Sequence, residues 1–127
     1  MSTLSKLTIR TSLISSSLMA CLISPLLGLE VSNTTNSKIY CFVDFGRTQL
    51  GGNTFAANDK TPWHFTQTKF PECDDPQGFG CFLRCGYKLS KSSAEQRLTN
   101  DAMAKGCFQI KSKEGSTPPA LEIVSCQ

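Results

Sequence analysis

Seven cysteines, at positions 21, 41, 73, 81, 85, 107 and 126, constrain this 127-residue chain more than any other feature. The first of them stands apart. Cys21 lies in an uncharged stretch from Thr11 to Leu29 whose apolar surface comes from residues such as Leu13, Ile14, Leu18, Leu22 and Ile23. The residues before it carry Lys6 and Arg10 and no acid. A basic start followed by an apolar run is the form of a secretory signal peptide, which assigns residues 1–30 to a leader cut between positions 28 and 32. Nineteen uncharged residues approach the roughly 20 that span a bilayer. Ser12, Ser15, Ser16, Ser17, Ser24 and Pro25 dilute the run, so a leader is preferred to an anchor, and no membrane span is expected after its removal. Leu18-Met19-Ala20-Cys21 has the outline of a lipoprotein box, but Met19 is bulky for its place and apolar residues follow Cys21.

Removing the leader leaves an even set: Cys41, Cys73, Cys81, Cys85, Cys107 and Cys126. In an exported domain of about 97 residues six cysteines read as three disulfides, because the compartment is oxidising and a small core gains from cross-links. Each is worth about 2 to 4 kcal/mol. Fifteen pairings are open. Cys73, Cys81, Cys85 and His64 also amount to four zinc ligands, but C-x7-C-x3-C is not a usual zinc spacing and export favours oxidation, so neither metal nor cofactor is expected.

Residues 31–38 are polar and are read as a flexible lead-in to a single disulfide-rich domain over 39–127. Ile39 to Phe45 alternates with the period of a half-buried strand. Gly51-Gly52-Asn53 and Asn58-Asp59-Lys60 are turn signals. Further strands are expected over Trp63 to Phe70 and Phe79 to Leu89. In the second, Phe79, Cys81, Leu83, Cys85 and Tyr87 share one face. Extended residues four apart are beyond bonding reach, so Cys81 and Cys85 should have different partners. Ser92-Ser93-Ala94-Glu95 has the form of a capping box, and Ala94, Leu98 and Ala102 recur as a helical stripe ended by Gly106. Cys107–Lys111 and Leu121–Cys126 close the series as strands. The fold class expected is α+β: a small disulfide-stabilised antiparallel sheet with one helix.

His64 is the only histidine. A ribonuclease-like site from His64, Glu72 and Arg84 is conceivable, since phosphodiester cleavage needs a base, an acid and a cation. Nothing in the spacing selects it, and the chain is read as a non-enzyme with no catalytic residue. Asp74 and Asp75, followed by Pro76 and Gly78, offer too few oxygens for a calcium loop and read as a solvated turn. Trp63, Phe65 and Phe70 would stack on sugar if exposed, but a domain this small needs such rings inside. Charge is uneven. Arg84, Lys88, Lys91, Arg97, Lys105, Lys111 and Lys113 face only Glu95 and Asp101 over residues 84–113, which suggests a basic binding face for an acidic protein, an anionic surface or a polynucleotide. Asn33-Thr34-Thr35 is a glycosylation sequon and, if used, a surface position.

A leader, about 97 exported residues, six cysteines and no catalytic signature together resemble the secreted candidate effectors of plant-pathogenic fungi, rust fungi especially. Phe79-Gly80-Cys81 also matches the aromatic-x-Cys motif common among mildew and rust candidates. The resemblance implies a virulence protein released outside the fungal cell towards a host, and into host cells where delivery occurs. It would suppress defence by binding a host protein, with carbohydrate or an anionic surface as other partners. A protease inhibitor or antimicrobial toxin is the alternative, with Pro71 to Gly80 as a tethered inhibitory loop; a small hydrolase using His64 is the third. All three share the same sulfur chemistry. The exported protein is expected to take up six alkyl labels after reduction and none before, as read by intact mass.

Overall fold

The computed structural model describes residues 28–66 and 72–126. The segment up to residue 27, where a leader is expected, and the segment from 67 to 71, with Phe70 and Pro71, lie outside the described residues. The elements in chain order are β1 (Leu29–Asn33), β2 (Ile39–Phe45), β3 (Thr48–Phe55), β4 (Trp63–Phe65), β5 (Cys81–Gly86), β6 (Ala94–Leu98), α1 (Asn100–Lys105), β7 (Cys107–Lys113) and β8 (Ala120–Ser125). They form two four-stranded sheets, the first in the order β4-β1-β7-β8 and the second β3-β2-β5-β6. The expected α+β class with a single antiparallel sheet is therefore corrected to a mostly β protein. One six-residue helix is present among the described residues, and β1 runs parallel to β7.

The helix expected from residue 92 is replaced by a strand for a definable reason. Ala94–Leu98 pairs antiparallel with β5, which sets Glu95 opposite Arg84 and Arg97 opposite Phe82 while Leu98 is fully buried. Cross-strand pairing and burial at period two outweigh a local capping signal. The helix is capped seven residues later, where Thr99 Oγ1 accepts from the Ala102 amide at 3.0 Å and Met103 enters the core. Gly106 does follow it, but not in the left-handed region: a Cβ there would come within 2.6 Å of the Ala102 carbonyl oxygen.

Residues 31–38, read as a flexible lead-in, contain most of β1, which lies between β4 and β7 with Leu29, Val31 and Asn33 wholly buried. Their alternation with Glu30 and Ser32 is a strand pattern that a polar average conceals. Gly51-Gly52-Asn53, read as a turn, sits inside β3. The pairing of β2 with β3 shifts register between Val43 and Asp44, and a Cβ at Gly51 would lie 2.5 Å from the Phe65 ring. A glycine here marks close approach of a ring from the other sheet.

The core is continuous across the two sheets. Leu29, Val31, Phe108, Ile110 and Leu121 come from the first; Ile39, Val43, Phe55, Leu83 and Leu98 come from the second. The six cysteines form Cys41–Cys85, Cys73–Cys81 and Cys107–Cys126, so Cys81 and Cys85 do take different partners. Cys41 and Cys85 stand directly opposite each other on β2 and β5, both buried. Chain-entropy scaling gives about 4 kcal/mol for a closure of 44 residues, about 3 for 19 and about 2.5 for 8. Replacing both cysteines of a pair by alanine should therefore lower the urea midpoint most for Cys41/Cys85, less for Cys107/Cys126 and least for Cys73/Cys81.

Candidate functional site

At one end of the second sheet, the β2–β3 turn and the Cys73–Cys81 loop meet to form a small apex. The turn has two central residues, Gly46 and Arg47, between the paired Phe45 and Thr48. Gly46 has φ +60° and Arg47 does not share the positive sign, the pattern of a type II′ hairpin. Gly46 is required twice over, because a Cβ there would lie 2.8 Å from the side chain of Phe79. Its amide donates to the Gly80 carbonyl at 3.1 Å, which ties turn to loop.

The loop is held at several points besides its disulfide. The Asp75 side chain accepts from the Gln77 amide at 2.9 Å and its carbonyl from the Gly78 amide at 3.1 Å. Asp74 accepts from the Asn100 amide at 3.0 Å, while the Asn100 side chain accepts from the Cys73 amide at 2.9 Å. Asp74 and Asp75 thus serve turn geometry. The result is that Phe79, expected to face inward on the β5 strand, is 76% exposed. The strand starts at Cys81, and Gly80 with φ +80° turns the preceding ring outward. Phe79 packs edge-on against Phe45 with ring centroids 6.4 Å apart, and Phe45, Arg47, Thr48 and Phe79 line a cavity of about 330 Å³.

The outer face of the second sheet is the other candidate surface. Alternation that sends Ile39, Cys41 and Val43 inward leaves Tyr40, Phe42 and Asp44 outward. Arg84 is ion-paired there through its Nε to Asp44 at 3.1 Å and also to Glu95, and it lies over the Phe82 ring at 4.9 Å. Arg97 lies over the same ring at 5.7 Å. Burial pushes the Asp44 carboxyl above the usual carboxylate range even with Arg84 beside it. A raised acid makes the charged form costly in the folded state, and that cost disappears as pH falls through the raised value. The Asp44–Arg84 pair therefore fixes where Arg84 lies without protecting the fold against acid.

The seven basic residues do not make a single face. Arg84 and Arg97 are on the outside of the second sheet, whereas Lys111 and Lys113 project from β7 in the first. Lys88 and Lys91 pair across the turn between β5 and β6, Lys105 is at the end of α1 beside Asp101, and Lys113 is bridged to Glu122 at 3.4 Å. Nearness in sequence was the signal, and the two-sheet topology disperses it.

Nor are His64, Glu72 and Arg84 assembled. His64 pairs with Glu30 at 3.1 Å on the outside of the first sheet, the opposite side from Arg84. Trp63 and Phe65 pack against the core, 5.8 Å apart. The sulfurs of Cys73, Cys81 and Cys85 are consumed in disulfides, and no cluster of three metal-ligating side chains occurs among the described residues. No helix among them is long and apolar enough to cross a membrane. Comparison with protein-family models, with curated proteins and with solved structures yields no match.

Asn33, expected at the surface as a glycosylation site, is instead wholly buried. Its Nδ2 donates to the Ser37 carbonyl at 2.9 Å, and its Oδ1 accepts from the Thr35 amide at 3.0 Å and the Thr35 hydroxyl at 2.6 Å. Asn33 and Thr35 spend their polar groups on closing the β1–β2 connection while the Thr34 hydroxyl donates to the Ile110 carbonyl on β7 at 2.7 Å, leaving no room for a glycan in the folded state. Asn33→Ala should lower unfolding free energy by about 1 to 3 kcal/mol, the cost of stranding buried partners, as measured by urea denaturation. Folded protein from a glycosylating host should carry no sugar at Asn33 by peptide mass.

Proposed function

We propose that this chain is a secreted, disulfide-fastened binding protein of the fungal effector kind, which engages a host protein through the Phe79 apex and thereby dampens defence. Three disulfides in a small protein are consistent with an extracellular setting. The burial of Leu29 and Val31 in the core favours a leader cut at the Gly28 end of the 28–32 window, since a later cut would delete core side chains.

The carrying observation is one exposed ring on a loop pinned by a disulfide and by hydrogen bonds at both ends. A ring of this size in water is unfavourable, and Gly46 and Gly80 are both given over to holding it there. A preordered loop loses little entropy on binding, and an aromatic beside an arginine is the composition of an interface anchor. The fit is to a host protein with an apolar socket that takes Phe79 and an acceptor at its rim for Arg47.

The same loop favours a second reading, as an inhibitor of proteases that cleave after aromatic residues. It is short, disulfide-closed and presents a single exposed Phe, and a panel of chymotrypsin-like enzymes separates the two.

Expression in host tissue, with and without the leader, is expected to alter defence output. Phe79→Ala should abolish that effect while shifting stability by no more than about 0.5 kcal/mol, because the residue is at the surface. An unchanged host response in both forms, or a fully active Phe79→Ala protein, would sink the reading.

A further inference from the structure

A cavity of about 500 Å³ lies on the outer face of the second sheet, at the end of β2 away from the apex. Every residue lining it is uncharged. Tyr40 and Phe42 give aromatic surface from β2, while Gln49 and Thr54 give an amide and a hydroxyl from β3. Leu89, 71% exposed, rises at the rim from the turn between β5 and β6. The cavity exists because Gly52, directly opposite Phe42, has no side chain. A Cβ there would sit 3.1 Å from the Cys41 carbonyl oxygen, 3.4 Å from Gln49 Nε2 and 3.5 Å from the Phe42 Cβ.

Arg84, the neighbour of Phe42 in the next strand, is held by Asp44 and Glu95, and the Lys38 ammonium lies 5.3 Å from the Tyr40 ring centre. The lining itself has no charged group to pair with an ionic ligand. It offers ring surface for C–H groups and neutral donors and acceptors for hydroxyls, in a volume ordinary for small-ligand pockets of about 300 to 1,000 Å³. We infer that this cavity binds a neutral oligosaccharide, one sugar ring lying against Tyr40 and Phe42 with its hydroxyls on Gln49 and Thr54. The sugar reading made from the sequence rested on Trp63, Phe65 and Phe70; the surface it needs is on β2 instead.

The assignment is independent of the Phe79 apex, so the two can fail separately. The test is an amide chemical-shift titration of the full secreted chain with cellotetraose and chitotetraose, and with tetragalacturonate as the acidic counterpart. A neutral tetrasaccharide should move the signals of residues 40–42, 49–54 and 89, with an affinity that does not change as salt is raised. Gly52→Val, which fills the cavity at the cost of a tight contact with the Cys41 carbonyl oxygen, should remove binding in a protein whose spectrum away from the cavity is unchanged. Gln49→Ala, at an exposed position, should weaken it several-fold in a protein with an unchanged spectrum elsewhere. Phe79→Ala should leave it intact. The inference is overturned if neither neutral saccharide shifts these signals, if Gly52→Val binds as well as the parent, or if tetragalacturonate binds tighter with an affinity that fades in salt.

Discussion

Cys41 and Cys85 join the two middle strands of the second sheet at facing positions, and much of the molecule is organised around that bond. It fixes β2 against β5 in one register. Because side chains alternate, that register decides at once which residues of both strands look inward. Val43 and Leu83 are thereby committed to the core, Phe42 and Arg84 to the outer face. β3 and β6 then add to a centre whose alignment cannot slip. A slip of one residue would exchange the core for the outer face, so a covalent pin at this place protects both.

The two ends of β2 carry the two surfaces assigned above. Phe45 supports Phe79 at one end and Tyr40 walls the cavity at the other, roughly 16 Å apart along an extended strand. Glycine makes each possible by a different physical route. At Gly46 the backbone conformation itself requires it, whereas at Gly52 the requirement is only for empty space. On the neighbouring strand, opposite Asp44, Phe82 has Arg84 and Arg97 over its ring.

How much of this was legible in the sequence follows from how local each signal is. Ile39–Phe45 is a clean alternation and forms β2 with those bounds, and the cysteine count led to three disulfides. Residues 94–98 satisfy a helical stripe and a strand alternation alike, and only the presence of β5 alongside decides between them. The buried role of Asn33 was hidden because a sequon and a polar turn that closes on itself are the same three residues. Phe79 was misplaced by two positions, since nothing in the string shows that Gly80 reverses the chain before the strand begins. The cavity had a signal that was passed over: aromatic residues at the outward positions of β2.

The parallel pairing of β1 with β7 joins residues 29–33 to residues 107–113. No hairpin can bring such strands together, and the loop that must close includes the entire second sheet. A chain emerging amino end first can therefore build β2, β3, β5 and β6 into a sheet while β1 waits with only the short β4 beside it. Completion of the first sheet is postponed until β7, near the end of the chain, has been synthesised. Its apolar strand β1 is left without its main partner until β7 has been made.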